Sequence, residues 1–194
     1  MEKQLEELLS ELVVFGHEND GSQAERNKKM LNLDPQEAQL MSIMVRSGQR
    51  KRLLEIGTSN GYSSIWLAWS VQFTGGHLIS LERDADKQAM ADANLKRAGL
   101  RDKVDLLLGD ATELVSQLKG TFDFVFFDAD RLSAPEQLKL LLPKLEAGAL
   151  LLADNVLSHP EQIAPYLEAI SSLPEFEHMV IPIGKGLSVA YKQG

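Results

Sequence analysis

Six polar side chains stand directly after stretches that have the pattern of buried strands, and these residues are the most capable of chemistry. They are Glu82, Asp110, Asp128, Asp130, Asp154 and Asn155. Parallel strands share one carboxyl edge, where ligands of open α/β sheets bind, so we expect these scattered groups to converge in space. Carboxylates gathered in this way can accept hydrogen bonds from ligand hydroxyls or hold a hard cation.

Two carboxylates and an amide oxygen form a candidate metal site. Asp128, Asp154 and Asn155 offer hard oxygen ligands, which suit Mg²⁺ or Ca²⁺ rather than zinc. The alternative is that each acid only caps the helix or loop that follows it. Because Asp128 and the Asp154-Asn155 pair follow neighbouring strands, the pattern favours the metal site.

A glycine turn joins the first predicted strand to a helix. The apolar run Leu53–Ile56 is followed by Gly57-Thr58-Ser59-Asn60-Gly61, and the next strand ends at Glu82, which can accept both hydroxyls of a ribose. A dinucleotide turn would read G-x-G-x-x-G, whereas three residues separate the glycines here and no third glycine follows. The spacing favours S-adenosylmethionine (SAM) over NAD. An ordinary strand-to-helix turn is the structural alternative.

Composition limits the class of protein. The chain has 194 residues, of which 44% are hydrophobic and 25% charged, as is usual for a soluble globular domain. Its net charge of -8 opposes non-specific binding to nucleic acid or to an anionic membrane. The sequence lacks cysteine, so disulfides and thiolate metal sites are excluded. No apolar run has the length of a membrane span, and the first residues lack a secretory pattern, so we expect a cytoplasmic protein.

Alternating strands and helices predict an α/β fold, with a mainly parallel sheet and helices on both faces. Residues 1–33 are interpreted as an N-terminal helix and a flexible connector, and residues 34–194 as one domain. In the first segment, the spacing of Leu5, Leu8, Leu9 and Leu12 predicts an amphipathic helix over 2–14 that packs on its own domain or in a homodimer. The polar stretch 16–29 is predicted to be a mobile connector, part of a lid. A further helix is predicted over 135–145, followed by a strand over 148–153.

The chain resembles the cation-dependent class I SAM O-methyltransferases, the catechol and caffeoyl-CoA O-methyltransferase family. The motifs that carry this resemblance are Leu54-Glu55-Ile56-Gly57-Thr58-Ser59-Asn60-Gly61-Tyr62-Ser63, Glu82, Gly109-Asp110-Ala111, Phe127-Asp128-Ala129-Asp130 and Ala153-Asp154-Asn155-Val156. The resemblance extends from Asp34 to the C-terminus. It implies a Rossmann-like sheet of seven strands, the last of them antiparallel.

The resemblance also implies roles for individual residues. The methionine end of SAM would be lined by Glu55, Gly57, Thr58 and Ser63. Glu82 would hold the ribose, Asp110 and Ala111 would lie against the adenine, and Asp128 and Asp130 would lie close to the cofactor. Asp128, Asp154 and Asn155 would bind a divalent metal, with Mg²⁺ expected, that orients a substrate hydroxyl.

Two positions depart from the family pattern. The family usually has a lysine after Asp130, proposed as the base, whereas this chain has Arg131, which stays protonated in proteins. The catechol enzyme has a substrate-contacting glutamate where this chain has Ser188.

The expected function is methyl transfer to a hydroxyl of a small catechol-like substrate, with Asp128 and Arg131 as catalytic residues. The alternatives are a tRNA hydroxyuridine O-methyltransferase, which the net charge disfavours, and a SAM-binding protein without catalysis. The glycine spacing disfavours a dehydrogenase.

Overall fold

The computed structural model describes all 194 residues as alternating helices and strands. The helices are α1 (Lys3–Ser22), α2 (Pro35–Ser47), α3 (Tyr62–Val71), α4 (Ala85–Arg97), α5 (Ala111–Gln117), α6 (Ala134–Leu141) and α7 (Pro160–Ser171). The strands are β1 (Arg52–Ile56), β2 (His77–Glu82), β3 (Val104–Leu108), β4 (Phe122–Phe127), β5 (Leu145–Ala153), β6 (Phe176–Ile181) and β7 (Leu187–Lys192). Short 3-10 turns lie at Arg26–Lys28, Arg101–Lys103 and Leu142–Lys144.

All seven strands form one sheet in the order β3-β2-β1-β4-β5-β7-β6. The pairs among β1 to β5 are parallel, and β7 runs antiparallel to both β5 and β6. The predicted α/β fold and its antiparallel last strand are therefore confirmed. The strand order reverses between β1 and β4, and open α/β sheets bind ligands at the carboxyl end of such a switch point.

Helices cover both faces of the sheet and create two apolar layers. One cluster of 22 buried residues packs α1, α2 and α3 against the sheet, and a second cluster of 20 packs α5, α6 and α7 on the opposite face. The central strand β4, Phe122–Phe127, is apolar at five of its six positions because neither face meets water. The two layers fix the carboxyl ends of β1, β4 and β5 as a rigid edge.

The N-terminal helix is longer than predicted. Its leucine face, Leu5, Leu8, Leu9 and Leu12, packs into the core of the same chain, which confirms the expectation of an amphipathic helix. The helix continues to Ser22, so residues 16–22 are not part of a connector. Tertiary contacts explain the difference, since the Asn32 amide donates a 2.8 Å hydrogen bond to the Leu12 carbonyl across the space that Gly16 leaves open. No helix combines the length and apolar character needed to cross a bilayer.

A second boundary also differs from the prediction. Helix α6 ends at Leu141, earlier than the expected residue 145, and the chain tightens into the 3-10 turn that contains Pro143. Proline lacks the N–H that would continue an α-helical ladder. Strand β5 consequently begins at Leu145 and is nine residues long.

Candidate active site

A cavity of about 640 Å³ opens at the carboxyl edge of the sheet, at the switch point between β1 and β4. Most of the residues predicted to form the site lie on its wall. They are Gly57, Thr58, Ser63, Glu82, Asp110, Ala111, Asp128, Asp130, Arg131 and Asn155. Two predicted residues, Glu55 and Asp154, are not on this wall.

The register of the sheet places three key residues in a row. Ile56 pairs with Phe127, and Phe127 pairs with Ala153, so the residues that follow them, Gly57, Asp128 and Asp154, stand side by side. Backbone hydrogen bonds extend the pairing by one residue, with 2.9 Å from Asp128 N to Ile56 O and 3.0 Å from Asp154 N to Phe127 O. Residues 97 positions apart in sequence thus converge because the strands end together.

The glycine turn approaches the neighbouring strand closely. Gly57 has φ 104° and Gly61 has φ 87°, backbone conformations that favour glycine. A Cβ atom on Gly57 would overlap the carbonyl oxygen of Asp128. The turn therefore packs backbone against backbone, and it leaves the N-terminal end of α3 facing the cavity.

Glu82, at the end of β2, holds this turn in place. One carboxylate oxygen accepts a 2.8 Å hydrogen bond from Ser59 N, and the other accepts bonds of 2.9 Å from Arg83 N and 3.0 Å from Asp84 N. Oε2 accepts only one of these bonds and keeps a second lone pair that a ligand hydroxyl can use, whereas both lone pairs of Oε1 are engaged by backbone N–H groups. The acid is thus both a fixed part of the turn and a potential hydrogen-bond acceptor on the cavity wall.

Glu55 lies beneath the turn and is fully buried. One of its oxygens accepts hydrogen bonds from the hydroxyls of Ser64 and Ser80, and the other has no partner in the protein. Burial raises the pKa of Glu55 to about 7, against the opposing effect of the neighbouring serine hydroxyls. The free oxygen suits a cationic donor, which is the kind of group that the amino end of SAM provides.

Asp110 and Asp130 each stabilise the backbone that follows them and also line the cavity. Asp110 caps α5, accepting hydrogen bonds of 2.9 Å from Thr112 N and 3.1 Å from Glu113 N, and it also lines the cavity. Asp130 accepts a 2.8 Å hydrogen bond from the Ser133 hydroxyl and orders the loop before α6. Capping and lining are therefore compatible at this edge of the sheet.

The three candidate metal ligands meet at one point. The Asn155 amide nitrogen lies 2.5 Å from Asp154 Oδ2 and 3.4 Å from Asp128 Oδ1. Asn155 has φ 66°, a left-handed conformation that asparagine tolerates and that turns its side chain back toward the two acids. An asparagine amide can present its oxygen as readily as its nitrogen, so the set offers three hard oxygen ligands.

The charges of this cluster favour a bound cation. The pKa of Asp128 lies well above its usual range because of burial and because the charges of Asp154, Glu55 and Glu37 repel a further negative charge. Burial likewise raises the pKa of Asp154, while the Asn155 backbone N–H and the Lys185 charge oppose the rise. A divalent ion would relieve this repulsion, so the residues present fit such an ion. No group of three His, Cys, Asp or Glu side chains forms a metal site by itself, so Asn155 is needed to complete the set.

Glu37 is a neighbour of this cluster that sequence reasoning did not assign to the site. Its place three residues after Asp34 is typical of a capping box, but it is 1% exposed and lies near Asp154, while Asp34 caps α2 through a 2.8 Å bond from Gln36 N. Burial and the Asp154 charge raise the pKa of Glu37 to about 8. Its position in the first turn of α2 gave no signal of this burial.

Arg131 and Ser188, the two departures from the family pattern, have different environments. Arg131 lines the cavity, and its only side-chain hydrogen bond is a long one of 3.5 Å to Gln162 Oε1. Burial and the nearby charge of Arg26 lower the pKa of Arg131. Ser188 is fully buried on β7, where its hydroxyl is 2.9 Å from His178 Nε2, and it does not line the cavity.

A second cavity of about 360 Å³ adjoins the first, and Glu37 and Asp154 lie on its wall. The segment Leu31–Leu33 borders both cavities. Asp20 on α1 holds this segment by accepting hydrogen bonds of 2.6 Å from Met30 N and 2.8 Å from Leu31 N. The Ser59 hydroxyl donates to Met30 O at 2.7 Å, which ties the segment to the glycine turn.

The strand order and the cavity at the switch point define a doubly wound fold of the class that binds nucleoside cofactors. The sequence profile of the O-methyltransferase family matches residues 3–193. The chain therefore belongs to the O-methyltransferase family, and the expected family and enzyme class are confirmed.

Individual relatives agree with this assignment. The chain is 34% identical over 154 residues to a catechol O-methyltransferase of Niastella koreensis, a match that covers 74% of this chain and 69% of that protein. It is 25% identical over 176 residues to caffeoyl-CoA O-methyltransferase 1 of Eucalyptus globulus, covering 79% and 71% of the two chains. The solved O-methyltransferase of Bacillus cereus in complex with S-adenosylhomocysteine (SAH) superposes with a TM-score of 0.82 at 25% identity, covering 100% of this chain and 92% of that one.

Proposed function

We propose that this protein transfers a methyl group from SAM to a hydroxyl of a small catechol-like substrate and that it uses a divalent metal to do so. The observation that carries the proposal is the row formed by Gly57, Asp128 and Asp154. The glycine turn that would hold the methyl donor and the acids that would hold the acceptor's metal lie on adjacent strand ends. The SAH-bound relative of the same fold supports SAM as the donor.

The cofactor would lie along the carboxyl edge from β1 to β3. Glu82 would accept the ribose hydroxyls, and Asp110 and Ala111 would lie beside the adenine. Gly57, Thr58 and Ser63 would surround the methionine end, and the unpaired oxygen of Glu55 would attract the amino group from beneath the turn. Asp130 would lie near the cofactor on the β4 side.

The acceptor would lie beside Asp128, Asp154 and Asn155. A divalent ion held by these residues would supply the positive charge that lowers the pKa of a substrate hydroxyl. Arg131 cannot take the proton because a guanidinium stays protonated, so the proton would pass to water. Arg131 would instead place a fixed positive charge where the oxygen becomes anionic. That oxygen then forms the new bond to carbon as the sulfonium–carbon bond breaks, which leaves SAH.

The two alternatives are weaker. A tRNA substrate receives no support from a net charge of -8. A SAM-binding protein without catalysis would account for Arg131 and Ser188, but it would leave the gathering of Asp128, Asp154 and Asn155 without a role.

The test is calorimetric titration with SAH, with and without Mg²⁺, together with methyl transfer from labelled SAM to catechol. We expect EDTA and Asp154→Ala each to abolish transfer while SAH affinity changes by less than about threefold, because the cofactor contacts lie elsewhere. Asp102→Asn, at an exposed site in the turn before β3, is the matched control and should retain full activity. Full turnover in EDTA would rule out the metal role, and loss of SAH binding without metal would place the ion in the cofactor site.

A further inference from the structure

Four basic side chains from separate parts of the chain line the acceptor side of the cavity. Arg26 comes from the turn after α1, Arg131 from the loop before α6, His159 from the start of α7 and Lys185 from the loop between β6 and β7. Residues 26 and 185 are brought together only by the fold. Their convergence stands out in a protein with a net charge of -8.

Arg26, Arg131 and Lys185 form no ion pair with a carboxylate of the protein. The ion pairs within 4.0 Å join other residues, among them Arg97 with Glu11 and Arg101 with Asp92. The Nε atom of Arg131 is buried and has no acceptor. A buried donor without an acceptor is costly unless a ligand supplies one.

The basic groups are close enough to repel one another. The charge of Arg131 is the main cause of a lowered pKa at His159, with further contributions from burial, Arg26 and Lys185. The charge of Lys185 acts on Asp128 and Asp154, which are the candidate metal ligands. With a divalent ion on those two acids, they would no longer neutralise the basic groups, and Asp130 would be the remaining acid that acts on Arg131.

We propose that the substrate carries an anionic substituent, a carboxylate or a phosphate, which Arg26, Arg131 and Lys185 bind beside the hydroxyl that is methylated. This inference rests on the proposed function and narrows its substrate class. Arginine matches the oxygens of both anions with a planar pair of donors, and lysine adds a point charge. The N-terminus of α7, a helix of 12 residues that begins at Pro160 behind His159, adds positive potential at the same wall.

The test compares three small catechols whose single further ring substituent is anionic, neutral or cationic: dihydroxybenzoate, methylcatechol and dihydroxybenzylamine. Binding to the protein with SAH and Mg²⁺ is measured by calorimetry, and KM is measured in methyl transfer. We expect the anionic compound to bind at least about tenfold more tightly than the neutral one and the cationic compound to bind most weakly, with a difference that shrinks as salt rises. A catechol with a phosphate monoester distinguishes phosphate from carboxylate.

Substitution of individual basic residues tests which of them bind the anionic substituent. Arg26→Gln and Lys185→Gln should each weaken binding of dihydroxybenzoate about three- to tenfold. Arg26→Gln should leave binding of methylcatechol unchanged, because only the anion meets this charge. Lys119→Gln, an exposed lysine before β4 at the opposite edge of the sheet, is the matched control.

The outcomes separate this inference from the proposed function. Equal affinity for the three catechols, or equal weakening of neutral and anionic ligands in Arg26→Gln, overturns the anion site while the methyltransferase function stands. Tight, salt-sensitive binding of dihydroxybenzoate without methyl transfer to any catechol supports the anion site and refutes the proposed function.

Discussion

The backbone N–H of Ser59 donates a 2.8 Å hydrogen bond to Oε2 of Glu82 and thereby joins the glycine turn after β1 to the end of β2. Ser59 has φ 49°, an uncommon conformation for serine, and this bond helps to hold it. Glu82 is consequently fixed before any ligand arrives, so the remaining lone pair of Oε2 points in a set direction. Preorganisation of this kind strengthens binding because little ordering is left to occur on association.

Replacing Glu82 should therefore affect both cofactor binding and stability. In Glu82→Ala, charge-assisted hydrogen bonding to the ribose is lost, at about 1.5–3 kcal/mol for each bond, so SAH affinity should fall by at least tenfold. The melting temperature should also fall, because Ser59, Arg83 and Asp84 lose their acceptor. Titration calorimetry and thermal unfolding measure the two effects, with the exposed Glu18→Ala on α1 as control. Unaltered SAH affinity would show that Glu82 does not contact the ribose.

Glu55 gives a prediction about pH. Its pKa is about 7 in the folded protein against a reference value of 4.5, so between these values the unfolded chain ionises while the folded protein keeps its proton. The contribution of Glu55 to the free energy of unfolding therefore falls as pH rises from about 4.5 to 7. The total loss is about 3 kcal/mol, and the contribution is constant above about pH 7. Glu55→Gln cannot ionise and should be more stable than the parent by about 1–3 kcal/mol at pH 8, with the two converging near pH 4.5.

Urea unfolding of the ligand-free protein at several pH values measures this difference. The same variant should bind SAH or SAM more weakly, because the buried oxygen that would attract the cofactor's amino group no longer carries charge. Parallel stability curves for parent and variant would contradict the assigned ionisation of Glu55.

Arg131 should contribute to rate without being indispensable. Arg131→Lys keeps a positive charge on the cavity wall and should retain most activity, whereas Arg131→Ala should lower kcat about 10- to 100-fold without abolishing it. The measurement is steady-state kinetics with methylcatechol, whose neutral ring substituent avoids the proposed anion site. SAH affinity should be unchanged in both variants. Complete loss of turnover in Arg131→Lys would show that guanidinium geometry, rather than charge, is required.

The N-terminal helix should contribute to global stability. Leu12 is 3% exposed within the main core, so Leu12→Ala should reduce the free energy of unfolding by about 2–4 kcal/mol. Val14 on the same helix is 56% exposed, so Val14→Ala should change it by less than about 0.5 kcal/mol. Denaturant unfolding compares them directly. Equal effects of the two substitutions would mean that the helix is not docked in solution as it is here.

The fold was predictable from sequence because its strands are buried on both faces and end in polar residues. The run Phe122–Phe127 followed by Asp128 marks both a central strand and its carboxyl end, and parallel strands place all such ends together. The location of Asp128 and Asn155 on one cavity wall followed from this rule. The metal and the roles of individual residues remain predictions.

The features that could not be predicted depend on tertiary contacts without a local signal. Glu37 has the sequence position of a helix-capping acid, yet it is buried beside Asp154 and Gly184. Residues 16–22 have weak helix propensity, which the contacts of Asn32 and Asp20 override. Arg26 lies in a three-residue 3-10 turn and Lys185 in a loop, and segments this short have no periodicity that indicates which way a side chain faces.

The backbone contact between Gly57 and Asp128 fixes one part of the site, whereas the loops around the cavity are free to vary in sequence. The glycine turn, where we propose that the methyl donor binds, and the acids that we propose hold the metal follow adjacent strands, so their separation is set by the strand spacing of about 4.8 Å rather than by any loop. Any side chain at position 57 would push these strand ends apart. Loops that carry Arg26, Arg131 and Lys185 can change without disturbing that alignment. Substitutions in these loops can thus change which substrate is preferred without changing the distance between the glycine turn and Asp128.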